Sequence, residues 1–139
     1  MRRGETIDIK PNLQFSVVCD DVRREDNGKF MLLGIFEAIN AREFPARHHT
    51  MFVANRWCKG EGSFTQKIRI ISTKDKSIIF QTEEQPFALT DIDTHHTIIS
   101  RFNNLVFPII GKYWVEVFLN NELILNYPIM LKQAEIKKQ

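Results

Sequence analysis

The sequence lacks most of the features that mark an enzyme or an envelope protein. It has no GxxxxGK[ST] or GxGxxG phosphate loop, no HExxH, no GxSxG and no CxxC, so the common nucleotide, zinc-hydrolase, serine-hydrolase and thiol-redox signatures are missing. Two cysteines among 139 residues, Cys19 and Cys58, are too few for a disulfide framework. No apolar run approaches the ~20 residues of a membrane helix, and MRRGETIDIK has no signal-like apolar core. These absences predict a cytoplasmic protein with free thiols and no membrane partner. Excess charge is missing too: 19 bases against 17 acids give a net +2, mixed along the chain, which makes nucleic acid an unfavoured partner. The basic ends, MRR and KQAEIKKQ, read as solvated tails. No repeat, low-complexity tract or Pro/Gly-rich linker divides the chain.

What is present is the makings of a sheet protein. Residues are 43% apolar and 26% charged, an ordinary globular balance, and eleven phenylalanines favour strands. A chain of this size removes roughly two-thirds of its unfolded surface from water, enough for one core without staples. Leu13 to Cys19 alternates as a half-buried strand, and Phe64 to Ser72 places Phe64, Ile68 and Ile70 inward with Thr65, Lys67 and Arg69 outward. KFMLLGIFEAI, after Asn27-Gly28, is apolar at both parities and reads as one strand covered on both faces, with Gly34 a bulge or a point of close approach. MFVANRWC, SIIFQTEE, HHTIISRFNNLVF, KYWVEVFL and ELILNYPIML supply further strands, while Pro45 and two histidines fall in a loop. No stretch keeps a period near 3.6.

The closing hairpin fixes a register. A two-residue Asn120-Asn121 loop sets Glu116 opposite Leu125, whereas a three-residue loop, Leu119 to Asn121, pairs Val117 with Leu123, Val115 with Leu125 and Tyr113 with Tyr127. The second gathers the apolar side chains on one face, and it requires Asn121 in the left-handed region. The whole predicts an all-β antiparallel sandwich of about eight strands. Gly111-Lys112-Tyr113 after Phe107-Pro108 suggests immunoglobulin-like topology. Residues 1–12 read as a flexible N-terminal segment, 13–131 as the single sandwich domain and 132–139 as a basic tail.

Two blocks, VVCDDVRREDNGKFMLLGIFEAI and FPIIGKYWVEVFLNNELI, resemble a family of small, uncharacterised bacterial β-sandwich proteins. In that family a Cys/Ala-Asp-x-x-Arg segment leads through Gly-Lys to Gly-Ile-Phe, and Pro-x-x-Gly-x-Tyr opens the last hairpin. The resemblance implies a fold and a bacterial cytoplasmic setting, and it carries over no catalytic residue.

Two classes of function remain. The leading one is a non-catalytic protein-binding or scaffolding module, with a protein partner or a second copy and no cofactor. Its candidate surfaces are the mixed face of Trp114, Glu116 and Phe118 and the charged stretch of Asp20, Asp21, Arg23 and Arg24. For that stretch, calcium binding competes with internal ion pairing in a solvated bend, and the interposed arginines favour the bend. The alternative is a small metal-dependent or Cys/His enzyme. If successive strands alternate direction, Cys19, Asp21, Cys58, His95 and His96 gather at one end, with His48 and His49 at the other.

Overall fold

The alternation of Phe64–Ser72 becomes a strand with two unlike faces. Phe64, Gln66, Ile68 and Ile70 are at most 5% exposed, while Lys67 and Arg69 stand on the opposite side. This is β5 (Gly62–Ser72), and a computed structural model describing residues 7–135 places it among ten strands. The others are β1 (Asn12–Arg24), β2 (Phe30–Ile35), β3 (Ala38–Ala41), β4 (Ala46–Cys58), β6 (Ile78–Gln81), β7 (Gln85–Leu89), β8 (His95–Phe107), β9 (Gly111–Leu119) and β10 (Glu122–Gln133). Among the described residues there is no helix, and so none long and apolar enough to cross a membrane.

The strands form two sheets, one in the order β2-β1-β4-β8 and one in the order β3-β10-β9-β5-β6, with β7 also paired to β5. All pairings are antiparallel except β3 with β10. One apolar cluster draws on both sheets, joining Val18, Met51 and Phe102 of the first to Ile68, Val115 and Ile129 of the second. A second cluster stacks Trp57 on Phe87, their ring centroids 5.5 Å apart. Each large ring there removes on the order of 150–250 Å² from water, so these clusters carry much of the drive to fold.

Polar side chains also link the sheets. Gln66 Oε1 accepts hydrogen bonds from Trp57 Nε1 at 2.7 Å and Asn55 Nδ2 at 3.1 Å. Gln66 Nε2 donates to Gln85 Oε1 at 3.0 Å, and Gln85 Nε2 donates to Ser100 Oγ at 3.0 Å. Nearby, Tyr127 Oη and Ser16 Oγ share a bond of 2.8 Å, and burial pushes the Tyr127 phenol up to about 12.

Ten strands stand where about eight were expected. KFMLLGIFEAI is two strands, because the chain leaves the first sheet after Ile35 and enters the second as β3. β2 is not covered on both faces: Met31, Leu33 and Ile35 are 42%, 42% and 62% exposed. Gly34 does mark a close approach, since a Cβ there would lie 2.5 Å from Asp20 Oδ2, and its φ of +69° is one that side chains resist. His48 and His49 sit within β4, which begins at Ala46, instead of in a loop.

The last hairpin keeps the two-residue turn. Asn120 and Asn121 both lie in the left-handed region, at φ 47° and 67°. An extra residue at Ile124 then shifts the ladder, pairing Val117 with Leu125, Val115 with Tyr127 and Tyr113 with Ile129. The expected three-residue loop and its pairs are therefore replaced by a tight turn plus a bulge, and the bulge is what keeps Glu116 from facing Leu125. Ahead of β1, Ile9 bridges Glu61 through reciprocal backbone bonds of 2.8 and 3.0 Å. β10 runs into the tail, to Gln133. The basic residues of MRR, and residues 136–139 of the tail, lie outside the described residues.

Candidate functional site

The ladders decide which side chains can meet. Cys58 pairs with His95 and Trp57 with His96 across β4 and β8, but Cys19 pairs with Phe52. Six residues of β4 separate Cys58 from that position, a span of about 20 Å along a strand. The expected gathering of Cys19 and Asp21 with Cys58, His95 and His96 is therefore corrected. The short strand β3 is the reason: it takes the chain out of the first sheet and returns it so that β4 runs antiparallel to β1, reversing the assumed directions. It is His48 that comes near Asp20, and burial nonetheless holds His48 below its ordinary value. Among the described residues, no group of three or more His, Cys, Asp or Glu could hold a metal ion. Cys19 is fully buried, which pushes its thiol up and away from the reactive thiolate.

The mixed face of Trp114, Glu116 and Phe118 is largely covered by its own side chains. Glu116 is 6% exposed and accepts a 2.7 Å bond from Arg69 Nε, while the Arg69 guanidinium and the Lys67 ammonium lie 4.8 and 4.9 Å from the Phe118 ring centre. Lys112 covers Trp114 at 5.1 Å in the same manner. The long cationic side chains of β5 and β9 thus shield this face by cation–π contact.

The charged stretch is strand, not bend. Asp20 to Arg24 belong to β1 and pair with β2, and the turn closes with Glu25 N–H on Lys29 C=O and Gly28 N–H on Glu25 C=O, each 2.8 Å. Asp21 accepts a 2.8 Å bond from Arg23 Nε, which holds its carboxyl below the usual range. Asp21 and Arg23 are therefore committed to each other. Arg24 is not: its guanidinium lies 4.9 Å from the Phe30 ring centre, and its Nε makes one long contact, 3.4 Å, to Gly28 C=O.

Two features of this hairpin escaped the sequence reading. The first is that β2 is a sheet edge with no charge and no proline from Phe30 to Ile35. Because Glu25 and Lys29 form a hydrogen-bonded pair, alternation along the ladder turns the N–H and C=O of Phe30 and Leu32 toward the free side. The second is a cleft. Arg24 and Lys29 of the hairpin tip line one cavity of about 800 Å³ together with Arg56 of β4 and His95 and His96 of β8. A straight continuation of β1 would leave its tip ~30 Å from Arg56. The tip instead turns back toward the Arg56 end of β4, so that both line one cavity. His96 is held by stacking on Phe87 at 5.6 Å, and Arg56 Nε is buried with no hydrogen-bond partner.

Comparison with known proteins places this geometry in a family. Residues 14–132 match the family of unknown function DUF6941, and the chain belongs to it. No curated protein matches. Among solved structures, the chain is similar to Pseudomonas fluorescens alkylpurine DNA glycosylase AlkC bound to DNA containing an abasic site analog, with a TM-score of 0.58 and 10% identity. That likeness covers 89% of this chain and 31% of the glycosylase, and at such identity it shows the fold alone.

Proposed function

We propose that this protein is a non-catalytic protein-binding and scaffolding module, an immunoglobulin-like β-sandwich in a bacterial cytoplasm, that associates with a second copy of itself through the free edge of β2. The finer fold reading is supported by the cluster shared between the two sheets and by Tyr113. Its hydroxyl donates to Ile109 C=O at 2.6 Å and accepts from Ile109 N–H at 3.1 Å, the tyrosine-corner arrangement of immunoglobulin-like domains. Residues 13–131 act as its one domain. The buried, unpaired Cys19 and Cys58 suit a reducing compartment.

The observation that carries the functional reading is the undefended edge. Sheet proteins blunt their edges with charge, proline or short strands, and β2 uses neither charge nor proline while exposing Met31, Leu33 and Ile35. The edge is also complementary to itself. In antiparallel pairing about a two-fold axis at Leu33, Met31 of each copy meets Ile35 of the other, and Lys29 of each comes opposite Glu37 of the other. The outward N–H and C=O of Leu32 then lie beside the axis, open to pairing with the other copy.

Leu33→Lys places two like charges at that axis on a side chain already 42% exposed, so the fold is spared. Sedimentation velocity across a concentration series is expected to show a dimer for the natural sequence, with dissociation on the order of micromolar, and a monomer for Leu33→Lys. A natural chain that stays monomeric up to ~100 µM, or a dimer indifferent to Leu33→Lys, overturns the second-copy reading.

A further inference from the structure

We infer that the cleft under the β1–β2 hairpin is a binding site for a small ligand carrying two or more phosphate groups. Three permanent cations, Arg24, Lys29 and Arg56, line a cavity of about 800 Å³ together with His95 and His96, and among the described residues no carboxylate lines it. This concentration does not follow from general basicity, because the whole chain carries only +2. Nor is it neutralised internally: among the described residues the ion pairs join Lys10 to Glu122, Arg23 to Asp21 and Arg69 to Glu116, leaving the cleft cations out. Like charges drawn into one concave space repel, and an anion seated between them removes that cost.

The chemistry of the donors selects phosphate. Arg24 and Arg56 line the same cleft, and a guanidinium presents paired N–H groups in the spacing of two phosphate oxygens. The Nε of Arg56 is buried without a partner, a donor in want of an acceptor. Two arginines lining one cleft suit more than one anionic centre, as in a pyrophosphate group. The volume lies within the ~300–1,000 Å³ of small-molecule sites and is bounded by the hairpin tip on one side. Lys29, which the edge pairing already uses, is not needed, so the two proposals stand or fall separately.

The test is calorimetric titration of the full chain at fixed ionic strength with inorganic pyrophosphate, ADP and, for comparison, sulfate. Saturable binding of pyrophosphate or ADP well above sulfate is expected. It should weaken by at least about tenfold in Arg24→Gln and in Arg56→Gln, and stay unchanged in Lys74→Gln, which lies in a remote turn. ADP binding tighter than pyrophosphate assigns the site to nucleotides, and equal affinity assigns it to the phosphates alone; both support the inference. Pyrophosphate and ADP binding no tighter than sulfate, or insensitive to both arginine variants, overturns it. So does a single-stranded oligonucleotide that binds through Arg24 and Arg56 when pyrophosphate and ADP do not. Far-UV circular dichroism of each variant confirms that the fold is retained.

Discussion

Replacing Gln66 with leucine probes the polar seam between the two sheets. Its Oε1 is the acceptor for both Trp57 Nε1 and Asn55 Nδ2, and all three residues are at most 1% exposed. Gln66→Leu keeps the volume nearly constant but leaves both donors in an apolar interior, each costing about 1–3 kcal/mol. It also frees Gln85 Oε1, which is only partly buried and can find water. The greater apolarity of leucine offsets part of this, so a net loss of about 3 kcal/mol is expected, or a fall in Tm on the order of 10 °C for a chain of this length. Urea titration followed by tryptophan fluorescence should show a lower midpoint with an unchanged slope. A double variant, Gln66→Leu with Asn55→Leu, should recover part of the loss, because one donor is removed together with its acceptor. A Gln66→Leu midpoint equal to that of the natural protein would refute the reasoning.

Two further outcomes follow from the hairpin end of the first sheet. His48 has its pKa held below 6.5 by burial, so between pH 7 and 5 the unfolded chain binds more protons than the folded one; stability should fall as the pH drops through that window, and His48→Gln should flatten the slope in chemical denaturation curves. Gly34→Ala sets a Cβ 2.5 Å from Asp20 Oδ2 at a φ of +69°; a loss of about 1–3 kcal/mol is expected, and a thermal scan showing no change would mean that the close approach is not needed.

Some of this architecture was legible because it depends on local pattern. The alternation of Phe64 to Ile70 fixed which side chains of β5 entered the core, and Gln66 shares their parity, though its buried role became visible only once Trp57 and Asn55 were placed. Asn121 is left-handed as the three-residue loop required, but within a two-residue turn in which Asn120 is left-handed too. The register failed because a loop and a bulge can solve the same facing problem: either one residue more in the turn or one more at Ile124 keeps Glu116 from facing Leu125. The strand directions failed on KFMLLGIFEAI, where apolar residues at both parities hid a crossing from one sheet to the other. One hidden strand inverts the direction of β4 relative to β1, which is why Cys19 and Cys58 lie far apart in the fold.

The candidate site was the least legible part because no local pattern encodes it. β1 stays paired with β2 to Arg24 but parts from β4 after Cys19, and only this mismatch in ladder lengths lets the hairpin leave the sheet plane. Once it does, Arg24 comes from the far end of the first sheet into the same cleft as Arg56. The cleft therefore rests on one local imbalance of hydrogen bonding. The sequence carries it as residues that serve the hairpin and not the sheet: Gly34 permits the close approach of Asp20, Asp21 satisfies Arg23, and Arg24 is left over. A charged stretch whose internal pairing leaves one arginine unmatched is a better pointer to a site than its net charge, since the unmatched cation is the one available to a ligand.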